Sequence, residues 1–94
     1  MRLLIAEDEL DLAEALTVFF QKNHFSVDAV NDGADAYEYA SSSEYDAIIL
    51  DVMMPKMNGI DVLRRLRAEG IKTPVMMLTA KGMEVDKVEG LDSG

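Results

Sequence analysis

The chain has 94 residues, enough for one domain with a core of its own but short of the usual domain length. Hydrophobic residues make up 49% and mean hydropathy is near zero, which excludes a disordered segment. Eighteen Asp and Glu against nine Lys and Arg give a formal charge of −9, which argues against a direct grip on nucleic acid, and the absence of Cys excludes disulfide and thiol chemistry.

From the N-terminus, Leu3–Ala6 is an apolar run that reads as a buried strand and is followed at once by acids. It is too short for a signal-peptide core, and no run approaches the roughly 20 apolar residues that a membrane helix needs, so a soluble, cytoplasmic protein is expected. Asp11–Gln21 predicts a helix with an apolar stripe of Leu12, Leu16, Phe19 and Phe20, closed by Lys22-Asn23-His24. Phe25–Val30 predicts a second strand. Asn31-Asp32-Gly33 is a turn with Asp32 as N-cap. It opens a short helix over Ala34–Ala40 with Ala36, Tyr39 and Ala40 near one face, ended by Ser41-Ser42-Ser43. Tyr45–Leu50 contains Ala-Ile-Ile-Leu, the pattern of a strand covered on both faces, and Asp51 follows directly.

Val52–Asn58 is an irregular loop containing Pro55. Gly59–Glu69 predicts a helix with Ile60, Leu63 and Leu66 inward and Gly70 just past its end, where a left-handed residue is favoured. Val75–Leu78 is a further buried strand, entered through Pro74 and ending at Thr79. Met83–Leu91, with Val85, Val88 and Leu91, predicts a last helix. Strict alternation of apolar strands and helices implies an α/β fold, a doubly wound parallel sheet with right-handed crossovers. Ligands of such sheets sit at the carboxyl ends of the strands.

Glu7 and Asp8 follow the first strand, Asp51 ends the third and Thr79 ends the fourth, so all lie at one sheet edge. If the first and third strands are neighbours, three carboxylates converge. Like charges that close raise one another's pKa, and a divalent cation is the natural relief. All-oxygen ligation suits Mg²⁺, with Mn²⁺ or Ca²⁺ as substitutes. Mg²⁺ binds phosphate oxygens and a carboxylate can act as nucleophile, so the chemistry suggested is phosphoryl transfer onto an acyl phosphate.

With these residues placed, the sequence resembles the receiver domains of two-component response regulators. The likeness rests on Glu7-Asp8 after Leu-Leu-Ile-Ala, on Asp-Val-Met-Met-Pro-Lys-Met-Asn-Gly at 51–59 and on Pro-Val-Met-Met-Leu-Thr-Ala at 74–80, and it runs over the whole chain. Val-Glu-Gly-Leu-Asp-Ser-Gly at 88–94 is similar to the OmpR/PhoB-type transcription-factor branch. The resemblance implies a flavodoxin-like (CheY-like) sheet of strand order 2-1-3-4 and a single receiver domain over 1–94 without an output domain. It implies Asp51 as phosphoacceptor, Glu7, Asp8, Asp51 and the Met53 main-chain carbonyl as Mg²⁺ ligands, and Thr79 as the switch hydroxyl. Pro55 and Gly59 would shape the loop, and Ala80 would leave access to the acceptor. The implied partners are a sensor histidine kinase and, through an absent output domain, DNA. The implied role is a switch and not an enzyme, in which about −1.5 to −2 units of added charge at Asp51 bias a two-state element.

The family pattern continues into a fifth strand and helix, with the lysine that pairs with the phosphoryl group, and the resemblance leads us to expect these to be missing from residues 1–94; Lys81 follows the wrong strand to replace the lysine. An open fourth strand and an uncovered sheet face then predict self-association, as a dimer or a strand-swapped oligomer. Metal binding is expected to survive and phosphoryl uptake to be weak. The alternatives are a phosphorylation-independent interaction module on the same fold, and a phosphatase-like hydrolase. The second is disfavoured because Met53 stands where such enzymes carry an acid/base aspartate. The seven methionines read as core fillers and loop cover, His24 as a solvent-exposed residue and Arg64, Arg65 and Arg67 as a solvated helix face. Tyr37, Tyr39 and Tyr45 read as packing residues with polar tips.

Overall fold

Strands whose residues are apolar on both sides need cover on both faces, and the chain supplies it. The computed structural model describes residues 1–79 and 82–86. Its elements are β1 (Arg2–Ala6), α1 (Leu10–Lys22), β2 (Ser26–Val30), α2 (Gly33–Ser42), β3 (Ala47–Asp51), α3 (Gly59–Ala68), β4 (Val75–Thr79) and β5 (Gly82–Asp86). The sheet order is β2-β1-β3-β4-β5, with the first four strands parallel as expected. The two-residue alternation sends Leu4, Ala6, Ile48, Leu50, Val75 and Met77 to the side of α2 and α3. It sends Leu3, Ile5, Ile49, Met76 and Leu78 to the side of α1. Leu4, Ile5, Ile48 and Leu50 are fully buried, and each such side chain contributes roughly 1.5–3 kcal/mol by leaving water.

Each helix keeps part of its expected face inward and leaves one or two of its members exposed. In α3 the buried stripe is Gly59, Val62 and Leu66, Leu63 packs beside it as expected, and Ile60 is exposed. Gly59 is pressed against the end of β3, and that contact turns the neighbouring Ile60 outward. In α2 the stripe is Gly33, Ala36 and Ala40, so Tyr39 faces water. In α1 Ala13 is buried and Leu16 and Phe20 pack on the sheet, whereas Leu12 and Phe19 flank the contact and stay exposed. The serines expected to stop α2 instead carry it to Ser42, with the Ser41 and Ser42 hydroxyls donating to the Tyr37 and Glu38 carbonyls at 2.7 and 2.6 Å.

The largest correction lies beyond Thr79. The helix expected over Met83–Leu91 does not form in its described part; 82–86 is strand β5, antiparallel to β4 from Thr79↔Gly82 to Val75↔Asp86, and 87–91 lies outside the described residues. Gly-Met-Glu-Val-Asp alternates apolar and polar residues with period two, and the unpaired edge of β4 offers a row of backbone partners that an isolated short helix lacks. The open edge on which strand-swapped association was expected is therefore paired within the chain. On the α1 side a groove of about 230 Å³ remains between Phe20, Phe25, Pro74 and Met76.

Candidate functional site

Because β1 and β3 are adjacent and parallel with Ala6 opposite Leu50, the residues following each strand emerge side by side. Carboxylate oxygens of Glu7, Asp8 and Asp51 lie within 4.8 Å of one another. Asp8 is exposed, Asp51 is half-buried and Glu7 is 4% exposed. The structure thus brings together the three carboxylates singled out in the sequence. Thr79 stands at the end of β4, one residue past Leu78, the partner of Asp51. Ala80 and Lys81 lie outside the described residues.

The main chain fixes each acid. Glu7 N–H donates to Val30 O at 3.1 Å, which carries the β1–β2 pairing one residue past the strand. Glu7 Oε2 accepts the Glu9 N–H at 2.9 Å, and Glu9 in turn caps α1 by accepting the Asp11 N–H at 3.1 Å. Asp51 Oδ1 accepts the Met53 N–H at 3.3 Å, and the Met53 side chain projects into solvent. Burial raises Glu7 from the usual carboxylate value of 4.5 to about 7, and the facing Asp51 charge adds to the rise. Burial also raises Asp51, and the Asp8 carboxylate acts in the same sense.

The loop after Asp51 is tied at both ends. Gly59 N–H donates to Val52 O at 2.8 Å, and Val52 N–H donates to Leu78 O at 3.2 Å. Its middle leans on the start of α2. Gly33 N–H donates to Pro55 O at 3.1 Å, and Lys56 Nζ lies 3.6 Å from Asp32 Oδ2. Lys56 takes a left-handed backbone conformation (φ 71°). The Asp35 N–H and Lys56 hold the Asp32 carboxyl below the usual range. Asn31, read from the sequence only as a turn residue, donates its Nδ2 N–H to Glu7 O at 3.0 Å, and Lys56, quoted there only within the 51–59 motif, faces Asp32. Neither has a signal in sequence spacing, since both act across the fold.

The donor set is oxygen only and carries excess negative charge. That chemistry fits a hard divalent cation, which would favour ionised Glu7. The ion pairs Lys56–Asp32 and Arg2–Asp28 lie outside the cluster. The other conspicuous polar group, Tyr45 with its hydroxyl donating to Asp28 at 2.6 Å, lies at the opposite end of the strands. No helix among the described residues is long and apolar enough to cross a membrane.

Comparison with known proteins gives consistent results. The response regulator receiver domain family matches residues 3–94. The transcriptional regulatory protein DltR of Streptococcus agalactiae is 47% identical over 94 residues, all of this chain and 42% of its own length. The chain thus spans about two-fifths of such relatives. Among solved structures, the receiver domain of the Francisella response regulator 1452 superposes with a TM-score of 0.81 at 33% identity, over 99% of this chain and 77% of that one. The receiver domain of the sensor histidine kinase PA1611 from Pseudomonas aeruginosa has a TM-score of 0.80 at 30% identity, over 84% of this chain and 66% of that one. Its structure has a magnesium ion coordinated in the active-site cleft.

Proposed function

The chain belongs to the response regulator receiver domain family, and from that membership we propose that it takes a phosphoryl group onto Asp51 from a sensor histidine kinase. The observation that carries this reading is the convergence of Glu7, Asp8 and Asp51 oxygens within 4.8 Å at the carboxyl edge of β1 and β3. An Asp51 oxygen attacks phosphorus in line. The new O–P bond forms as the P–N bond to the donor histidine breaks, and the imidazole nitrogen leaves with the electron pair. Glu7, Asp8, Asp51 and the Met53 main-chain carbonyl would hold Mg²⁺, with Mn²⁺ or Ca²⁺ as substitutes. The cation would neutralise charge on the phosphoryl oxygens. The PA1611 receiver domain, with its coordinated magnesium, supports this assignment by likeness of fold.

Glu7 contributes by giving up its proton as the site fills, which binds the site's occupancy to pH. Thr79, at the end of the strand beside Asp51, is the proposed switch hydroxyl. Residues 1–94 form the receiver unit in this reading. As in the OmpR/PhoB-type branch, the full-length protein would pass the change to a DNA-binding output. DltR, a transcriptional regulatory protein, supports that assignment. The chain acts as an acceptor and switch, without turnover of an external substrate.

The test is labelling by acetyl phosphate with Mg²⁺, read by intact mass. Mg²⁺-dependent addition of one phosphoryl group that Asp51→Asn abolishes is expected. Labelling that persists in Asp51→Asn, or is indifferent to Mg²⁺, would overturn the reading.

A further inference from the structure

We infer that Asn31 is a positioning residue of the acid site, its side-chain amide setting the Glu7–Asp8 peptide that aims two of the three carboxylates. This rests on the metal-binding reading of that site. β1 and β2 run in register up to Ala6↔Val30, and Glu7 N–H still pairs with Val30 O at 3.1 Å. In a continued parallel ladder the next backbone N–H of β2 would then meet the Glu7 carbonyl. Here the chain has already turned into Asp32 and Gly33 to start α2. Asn31 Nδ2 takes the place of that donor at 3.0 Å. The carbonyl it holds belongs to the same rigid peptide plane as the Asp8 N–H. Loss of the bond frees that plane to rotate, and its rotation moves the Asp8 carboxylate relative to Glu7 and Asp51.

The amide is a fixed arm because its own turn is anchored on the other half of the site. Gly33 N–H donates to Pro55 O, and a Cβ on Gly33 would stand 1.6 Å from Met57 O, so the turn lies flat against the loop that follows Asp51. Lys56 and Asp32 close the same contact at 3.6 Å. One turn therefore touches both carboxylate-bearing segments, Glu7-Asp8 through a side chain and the Asp51 loop through main chain. Partners of this kind, one bond behind the ligands, commonly govern metal affinity.

The experiment is Mg²⁺ titration followed by ¹H–¹⁵N NMR on the whole chain, the Asn31→Ala variant and the Asn31→Gln variant. Asn31→Ala is expected to weaken Mg²⁺ binding by roughly 10-fold. It is also expected to shift the Asp8 amide resonance of the metal-free protein and to leave the metal-free melting temperature near the parent's, since Asn31 is exposed. Asn31→Gln, which keeps an amide donor, is expected to bind between the two. The inference is overturned if Asn31→Ala binds Mg²⁺ as tightly as the parent, or if its metal-free Asp8 resonance is unmoved. If the parent itself shows no saturable binding, the metal reading fails and this inference falls with it.

Discussion

The α-carbon of Gly59 lies against the main-chain carbonyl of Asp51: a Cβ at that position would stand 2.1 Å from the oxygen and 2.9 Å from the carbon. Both atoms are backbone at the end of a central strand, so nothing flexible can yield. The first turn of α3 is docked on Asp51 itself, with Gly59 N–H held by Val52 O at 2.8 Å. Gly59→Ala is expected to lower stability by about 1–3 kcal/mol in urea melts and to weaken Mg²⁺ binding in the same variant. A stability equal to the parent's would contradict the contact.

The acid site predicts an unusual slope of stability against pH. Glu7 titrates near 4.5 when unfolded and at about 7 when folded. Between these values the native state binds the extra proton, so the metal-free protein is expected to lose stability as pH rises through that window and to level off above it. The shift sets an upper limit of about 3 kcal/mol on the loss. The raised Asp51 acts in the same direction. Urea melts at pH about 5 and about 8 check this; saturating Mg²⁺ is expected to flatten the slope, and a metal-free stability that rises with pH would refute it.

Removing one charge from the cluster has opposite effects on stability and on binding. Asp51→Asn is expected to raise the metal-free melting temperature at pH about 8, because it relieves repulsion among three converging carboxylates. The same change is expected to weaken Mg²⁺ binding, since one anionic ligand is lost. Thermal melts with and without Mg²⁺ separate the two, and a lower metal-free melting temperature would count against the geometry.

Pairing of β5 along β4 replaces an open edge with a hairpin. Glu84→Pro removes the backbone donor that faces Met77 across the β4–β5 pair and strains the strand there. It is expected to expose the β4 edge and to make sedimentation concentration-dependent, beyond any association that the parent shows through the groove on the α1 side. Identical sedimentation of the two would show that the edge is not what limits association.

Most of the frame was legible in the sequence because its signals are local. Ala47-Ile48-Ile49-Leu50 has no polar residue to turn outward, so it reads as a doubly covered strand, and it is one. Glu7, Asp8 and Asp51 could be brought together because parallel topology places strand ends on one edge. What escaped were features fixed by contacts between distant segments. Ile60 points outward because Gly59 is seated on the end of β3. Asn31 helps shape the site through one amide bond spanning 24 positions in the chain. Residue periodicity carries no trace of such partners.

The carboxylate of Glu7 has a second occupation, since Oε2 receives the N–H of Glu9 at the threshold of α1. A negative charge there is favourable to the helix start, and a proton there removes the favour. The state of the acid pocket is therefore also written into how readily the first turn of α1 frays, and deuterium uptake at Asp11 and Leu12 would follow the ionisation of a residue in another element. A helix that touches the sheet mainly through Ala13, Leu16 and Phe20 has little packing to mask such a change. If the cluster takes a cation as proposed, the first turn of α1 would report its occupancy without a label on the pocket.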